Sequence, residues 1–230
     1  MDQPDKSTPT QATQHTLEIR LVIFTLKDNQ LAVFLSPSSL PQANDVWEIP
    51  GVPANIEQNL EETANQYLRQ NMGMDEAYLE QLYTYGDTQR HPQYPLVSVV
   101  FFALIPADAS QNELRKRAAL RCFPVNALPS LALDHPLIVE YALRRLRYKL
   151  EYSAVGFELL PETFTLSELQ NTYEIILGVS LDKRNFRRRI LEAGIIESTP
   201  HRRAGEGRPA QLYRYRPDAI AEVKARRLFP

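Results

Sequence analysis

The rhythm of apolar and polar positions changes several times along this chain, and each change marks an element. Residues 17–26 alternate at first and then turn almost wholly apolar through Leu21-Val22-Ile23-Phe24. A polar break, Lys27-Asp28-Asn29, separates them from a second apolar run over 30–35. Two such runs around a short polar break predict an antiparallel pair of strands. Residues 36–44 contain Pro37 and Pro41 and predict a loop. Over 59–71 the period lengthens: Leu60, Ala64, Tyr67, Leu68 and Met72 share one helical face, and Gly73 supplies the stop. Strands are predicted over 82–86 and 96–105, the second apolar on both faces as a central strand would be. A short helix is predicted over 112–119. A stronger one follows over 136–151, with Ile138, Tyr141, Ala142 and Leu146 inside and Arg144, Arg145 and Lys149 outside.

Beyond Phe157 the pattern becomes that of two helices in quick succession. Thr165 and Glu168 have the spacing of a capping box, in which hydroxyl and carboxylate satisfy the free N–H groups of the first turn. Leu166, Leu169, Tyr173, Ile176 and Leu177 make the apolar stripe, and Gly178 ends it. Ser180 is placed to cap a second helix over 181–193, stopped by Gly194, with Phe186, Ile190 and Ala193 facing inward. Its outward positions are Lys183, Arg184, Arg187 and Arg188, with Asn185 beside them. Two helices across so short a turn, the second with a basic outer face, form a helix-turn-helix arrangement. Ile195-Ile196, a loop over 200–209 with Arg202, Arg203 and Arg208, and a strand over 210–215 then predict a hairpin, or wing.

Charge sharpens this picture. The chain as a whole carries a formal charge of −2, yet residues 181–230 hold 13 Lys and Arg against six Asp and Glu. That local surplus points to a polyanionic partner for this segment alone. Lys and Arg neutralise phosphates, Arg and Asn read guanine and adenine edges in a major groove, and wing arginines suit a backbone or a narrow minor groove. One isolated arginine run would read as a solvated helix face. Two runs on successive elements, with few acids between them, favour double-stranded DNA, and no aromatic platform suggests RNA.

Other features exclude functions. Cys122 is the single cysteine, so there is no internal disulfide and no cysteine cluster for zinc. His15, His135 and His201 are scattered and form no metal set, and no cofactor is expected. No apolar run approaches the ~20 residues of a membrane span. Residues 1–16 are polar, lack the apolar stretch of a signal peptide, and predict a disordered tail. The expected location is cytoplasmic. The organisation read from the chain is a tail over 1–16, an α/β domain over 17–152 that includes a long linker helix, and a winged helix domain over 153–230.

The segment Trp47-Glu48-Ile49-Pro50-Gly51, Leu60-Glu61-Glu62-Thr63-Ala64 and Gly73-Met74 resembles the core of the Nudix family. In that family, glutamates along one helix face bind magnesium, which activates water to cleave a nucleoside diphosphate bond. With Gly73 as anchor, the first glycine of the family's box falls on Val52 and its glutamate on Gln58. The Arg-Glu pair falls on Gln66 and Tyr67, and the Glu-Glu pair on Gln70 and Asn71. Shifting the register by one recruits Glu57 but places Asn65, Gln66, Arg69 and Gln70 at the remaining positions. Magnesium requires hard anionic oxygens, and neutral amides are weak substitutes, so normal hydrolysis is not expected.

The C-terminal segment resembles the winged helix of the Nudix-related transcriptional regulators, the NrtR family. The motifs are Phe164-Thr165-Leu166-Ser167-Glu168-Leu169-Gln170, Leu181-Asp182-Lys183-Arg184-Asn185-Phe186 with the arginines after it, and Gly207-Arg208-Pro209-Ala210. Leu133-Asp134-His135 and the helix after it resemble that family's linker. The resemblance implies a Nudix-like α/β/α sandwich followed by a winged helix-turn-helix, acting as a homodimer on a DNA operator. It further implies an effector related to ADP-ribose or a sugar, and control of NAD-related genes. On this reading Lys183, Arg184, Asn185, Arg187, Arg188, Arg202, Arg203 and Arg208 meet DNA. Trp47 and Arg90 are the candidates for effector contact, Arg90 as a bidentate phosphate clamp. A pyrophosphohydrolase with an atypical metal site, or a sugar-responsive regulator, stands as the alternative.

Overall fold

The computed structural model describes residues 16–41, 45–55, 57–87, 89–107, 119–204 and 209–219. The tail as far as residue 15, most of the helix predicted over 112–119, and Arg208 lie outside these residues.

Strand β1 (Thr16–Lys27) and β2 (Gln30–Pro37) pair antiparallel, with Lys27 opposite Gln30. The two residues between them, Asp28 and Asn29, both have positive φ, 49° and 60°. That geometry matches the twist of the strands, and Asp and Asn tolerate it better than most residues. The sheet runs β3 (Trp47–Glu48), β2, β1, β6 (Leu96–Leu104), β5 (Tyr78–Tyr85). Two further short strands, β4 (Gly51–Pro53) and β7 (Arg121–Pro124), pair with β1 and β2. β1 and β6 are parallel and buried on both faces, as their unbroken apolar runs require. β5 begins four residues earlier than the predicted strand, and β3, β4 and β7 were not predicted. They are too short to show a period of their own and exist by pairing with neighbours.

Alternate residues of the central strands enter two cores. Ile19, Leu21, Ile23, Val99, Phe101 and Ala103 pack on Ala64, Leu68 and Met72 of α1 (Leu60–Met72). Val22, Phe24, Val100, Phe102 and Leu104 pack on Ile138, Val139, Ala142 and Leu146 of α2 (His135–Tyr152). Helices on both faces of a mixed sheet make the expected α/β/α sandwich. Asn59 caps α1 by accepting from Glu61 N–H, and Gly73 ends it in the left-handed conformation at φ 67°.

A short 3-10 segment (Val155–Leu159) leads to α3 (Leu166–Leu177), α4 (Lys183–Glu192) and the hairpin β8 (Ile196–Arg203) and β9 (Ala210–Tyr215). The capping box at Thr165 and Glu168 is present in both directions. The cap of α4, however, is Asp182, which accepts from Asn185 N–H at 2.8 Å, not Ser180. The helix therefore starts at Lys183 rather than at 181. β8 continues through Pro200 to Arg203 by a register shift between Ser198 and Arg202, so His201 to Arg203 lie on a strand and not in a loop.

The two halves share one core. The cluster beneath α2 runs on without a break into Phe157, Phe164, Leu169, Tyr173, Ile176, Phe186 and Ile190. Asn171 of α3 donates to Asn29 of the β1–β2 turn at 2.5 Å. Arg147 of α2 donates to Ile176 O, in the last turn of α3, at 2.8 Å.

Candidate functional site

Two places carry the chemistry expected of the sequence. The first is the outer face of α4. Phe186 and Ile190 are buried and seat the helix against α3, where Phe186 meets the Tyr173 ring edge-on at 5.7 Å between centroids. Lys183, Arg184, Asn185 and Arg188 are exposed on the opposite face. Lys183 and Arg184 make no side-chain hydrogen bond or ion pair among the described residues. Arg188 donates to Asn185 Oδ1 at 2.8 Å and lies 3.6 Å from Glu192. Arg187 departs from the helical-wheel expectation: it is half-buried, and its Nη2 donates to Ser167 Oγ of α3 at 3.1 Å. It ties the two helices together instead of pointing straight outward. On the wing, Arg202 is exposed with no partner among the described residues. Arg203 instead pairs with Glu168, the capping residue of α3.

The second place is the sheet edge where α2 begins. A cleft of about 540 Å³ opens there, lined by Tyr83, Thr84, Tyr85, Gly86, Asp87, Gln89, Arg90 and Asp134. Arg90 sits in its wall with its side chain only 5% exposed. Its Nε and Nη2 donate to the two carboxylate oxygens of Asp134 at 2.7 and 2.9 Å, a fork-on-fork pair. Its Nη1 donates to Tyr85 O at 3.0 Å and Ser98 Oγ at 2.9 Å.

Arg90 is one station in a chain of buried polar groups. Ser98 Oγ donates to Glu18. Arg20 lies 2.8 Å from Glu18 and 3.3 Å from Glu48, and donates to Ile49 O at 2.7 Å. Ile49 N–H donates to His135 Nδ1 at 3.1 Å. The chain thus leaves Asp134 and returns to His135, the adjacent residue at the start of α2. Burial, with Arg20 adding to it, pushes the His135 imidazole down to about 3, so the ring is neutral and its proton sits on Nε2. Gly51 permits this arrangement, because a Cβ there would stand 2.3 Å from Ile19 O and 2.6 Å from Arg20 Cδ. Sequence reading missed Glu18, Arg20 and Glu48. The signal was present: Glu18 and Arg20 are charges two residues apart at the start of a strand that continues as Leu21-Val22-Ile23-Phe24.

Trp47 and Arg90, the two candidates for effector contact, do not line this cleft together. Trp47 is half-buried, meets Phe123 edge-on at 4.7 Å and carries Arg121 over its ring at 5.3 Å. Both are tied to the segment that opens α2, since Ala132 N–H donates to Trp47 O at 2.8 Å.

The degenerate box is satisfied by neutral groups. Gln58 Nε2 donates to Thr63 Oγ1 at 2.8 Å and to Gln66 Oε1 at 3.4 Å. Asn71 turns back to Tyr67 O at 3.0 Å. Burial pushes the Tyr67 hydroxyl up to about 12, against the nearby Arg20. Among the described residues no group of three His, Cys, Asp or Glu side chains is arranged to hold a metal. Nor is any described helix long and apolar enough to cross a membrane.

Comparison with known proteins gives the same organisation. The NrtR DNA-binding winged helix domain matches residues 156–215. An ADPR responsive transcriptional repressor, NtrR, of Acinetobacter baylyi is 37% identical over 203 residues, covering 86% of this chain and 81% of that protein. Shewanella oneidensis NrtR in complex with a 27mer DNA superposes with a TM-score of 0.81 at 32% identity, over 92% of this chain and 96% of that one. The Nudix domain of the same Shewanella protein, in complex with ADP ribose, matches 61% of this chain and 94% of its own, at 28% identity and a TM-score of 0.51. The chain belongs to the NrtR family of Nudix-related transcriptional regulators.

Proposed function

We propose that this chain is a DNA-binding transcriptional regulator that responds to ADP-ribose and does not hydrolyse it. The observation that carries the reading is the outer face of α4, where exposed Lys183 and Arg184 begin the second helix of a helix-turn-helix and have no partner among the described residues. Lysine and arginine held there, with Asn185 and Arg188 beside them, can grip phosphates and reach base edges. Arg202 extends the grip along the wing. Arg187 and Arg203 contribute by fixing the helices and the wing in place, and Arg208, outside the described residues, is a further cation in the sequence between β8 and β9.

The effector reading is supported by the relatives: one is called ADPR-responsive, and the Nudix domain of another was crystallised with ADP ribose. The cleft beside Arg90 is of a size to admit a nucleotide-like ligand, with tyrosines for its apolar parts and a guanidinium for phosphate. The absence of carboxylates at Gln58, Gln66, Tyr67, Gln70 and Asn71 argues for binding without hydrolysis. On this reading the protein acts in the cytoplasm as a homodimer, with one recognition helix for each operator half-site, and controls genes of NAD-related metabolism.

The test is selection of bound fragments from genomic DNA with the purified protein, then a salt titration at the best site with and without ADP-ribose. A palindromic site, a log–log salt slope steeper than about −5 and an affinity that moves with ADP-ribose are expected. Sequence-independent binding, or magnesium-dependent turnover of ADP-ribose, would overturn the reading.

A further inference from the structure

Asp134 occupies a position with two possible uses. It is the N-cap residue of α2, where an aspartate ordinarily accepts a hydrogen bond from the first turn of its own helix. Here it makes no such bond. Its two oxygens are instead given to Arg90, at 2.7 and 2.9 Å. Pro136 has no N–H, so the donor left for a capping carboxylate is Leu137 N–H, which now reaches Asp134 O of the backbone at 3.0 Å. One carboxylate thus faces two alternative partners, a guanidinium in the cleft wall and a helix terminus with positive dipole character.

Both members of the Arg90–Asp134 pair line the cleft. The diphosphate of ADP-ribose offers the same fork of oxygens that Asp134 offers, with one negative charge on each phosphate and two in all. At the other end of the same helix, Arg147 holds Ile176 O of α3, the first helix of the helix-turn-helix. What Asp134 binds is therefore connected, through one helix, to how the DNA-reading helices are set.

We propose that the diphosphate of the effector displaces Asp134 from Arg90, and that the released carboxylate caps α2, so that partner exchange at Asp134 is the switch between effector and DNA. This rests on the ADP-ribose reading above. The exchange joins two arrangements, and passing to the second turns Asp134 from ψ 12° to the extended backbone of a capping residue and moves Leu137 N–H from the Asp134 backbone oxygen to the carboxylate. Without ligand, Arg90 has Asp134. With ligand, Arg90 has phosphate and Asp134 has the helix N-terminus. An element with two arrangements, only one compatible with ligand, shifts its population by the ligand's preference for that arrangement.

The test uses the full-length protein, ADP-ribose, and the variants Asp134→Asn and Arg90→Lys. Asp134→Asn loses the competing charge and keeps the ability to cap. Its ADP-ribose Kd is expected to fall at least threefold, and its affinity for operator DNA without ligand to move toward that of the ligand-saturated wild type. Arg90→Lys removes the fork, and its ADP-ribose affinity is expected to fall tenfold or more. Because either variant could be compromised in folding, the wild type supplies an independent reading. Hydrogen exchange at Leu137 is expected to slow when ADP-ribose is added. If wild-type protein binds no ADP-ribose, the functional reading fails. If wild type binds it while Asp134→Asn binds no tighter, or exchange at Leu137 does not change, the reading stands and the switch is overturned.

Discussion

His135 is fully buried at the start of α2, and its neutral ring is held by one hydrogen bond from Ile49 N–H. The unfolded chain protonates this histidine near its ordinary value of 6.5, whereas the folded protein resists until about 3. Between those two values the unfolded state binds the extra proton, so stability falls as pH falls through that window. From pH 7 to pH 5 the loss expected from this one group is about 2 kcal/mol, at roughly 1.4 kcal/mol per pH unit below the unfolded pKa. Urea unfolding of wild type and His135→Asn at both pH values checks this. The variant is weaker at pH 7 because it opens a gap, but its loss between pH 7 and 5 should be smaller by about that amount. Equal losses would show that His135 is not the titrating group. None of this was legible locally. The sequence shows a histidine before a helix, and only folding brings Ile49, 86 residues away in the chain, to its Nδ1. Glu18 and Arg20 differ in that their misfit in an apolar strand is visible without any partner, although what they pair with is not.

The elements themselves were legible in proportion to how locally each is determined. The capping box of α3 is written within four residues and appears as expected. For α4 the sequence reading took Ser180 as the cap, whereas the structure uses Asp182, two residues later. Periodicity placed Arg187 outward because it fixes the direction of Cβ, whereas a long guanidinium can fold back, as here to Ser167. This divides the cations of α4 into two experimental classes. Replacing Lys183 and Arg184 together by Ala should leave the unfolding midpoint unchanged, as expected of exposed groups. The same change should cut operator affinity at least tenfold and, with four cations lost per dimer, make the salt slope shallower by about 3 to 4. Arg187→Ala should lower stability by about 1 kcal/mol, the worth of one interhelical hydrogen bond, and reduce affinity by loosening the pair of helices. Thermal unfolding and fluorescence-anisotropy titrations over a salt series separate the classes. An Arg187→Ala protein of wild-type stability with a shallower salt slope would move Arg187 into the phosphate-gripping class. β8 shows the limit of local signals from the other side. Pro200 suggests a break, and only pairing with β9 reveals that the strand absorbs it as a bulge.

At the scale of the molecule, the α/β and winged-helix halves are joined by more than a linker. The apolar cluster passes from the sheet through α2 into the helix-turn-helix, so α2 belongs to both halves and cannot move without one of them following. Polar ties mark where it is held: Arg90 and Ile49 at its start, Glu80 of β5 against Arg145 and Lys149 along its length, and Ile176 O against Arg147 near its end. The first lies at the cleft and the last at α3. Arg147 satisfies a carbonyl in the last turn of α3, where a cation also suits the helix dipole. Its removal touches neither the cleft nor the outer face of α4. Arg147→Ala should therefore keep its ADP-ribose Kd and its ligand-free operator Kd each within about twofold of wild type, since effects at separated sites are largely independent. What should shrink is the ratio of operator affinities with and without ADP-ribose, since coupling between sites is a quantity distinct from either affinity and is typically about 1–3 kcal/mol. Titrating operator DNA at zero and saturating ADP-ribose, for both proteins, measures that ratio directly. A ratio equal to that of wild type would mean that the shared apolar core alone carries the signal, and that the hydrogen bond to Ile176 O only secures the end of α3.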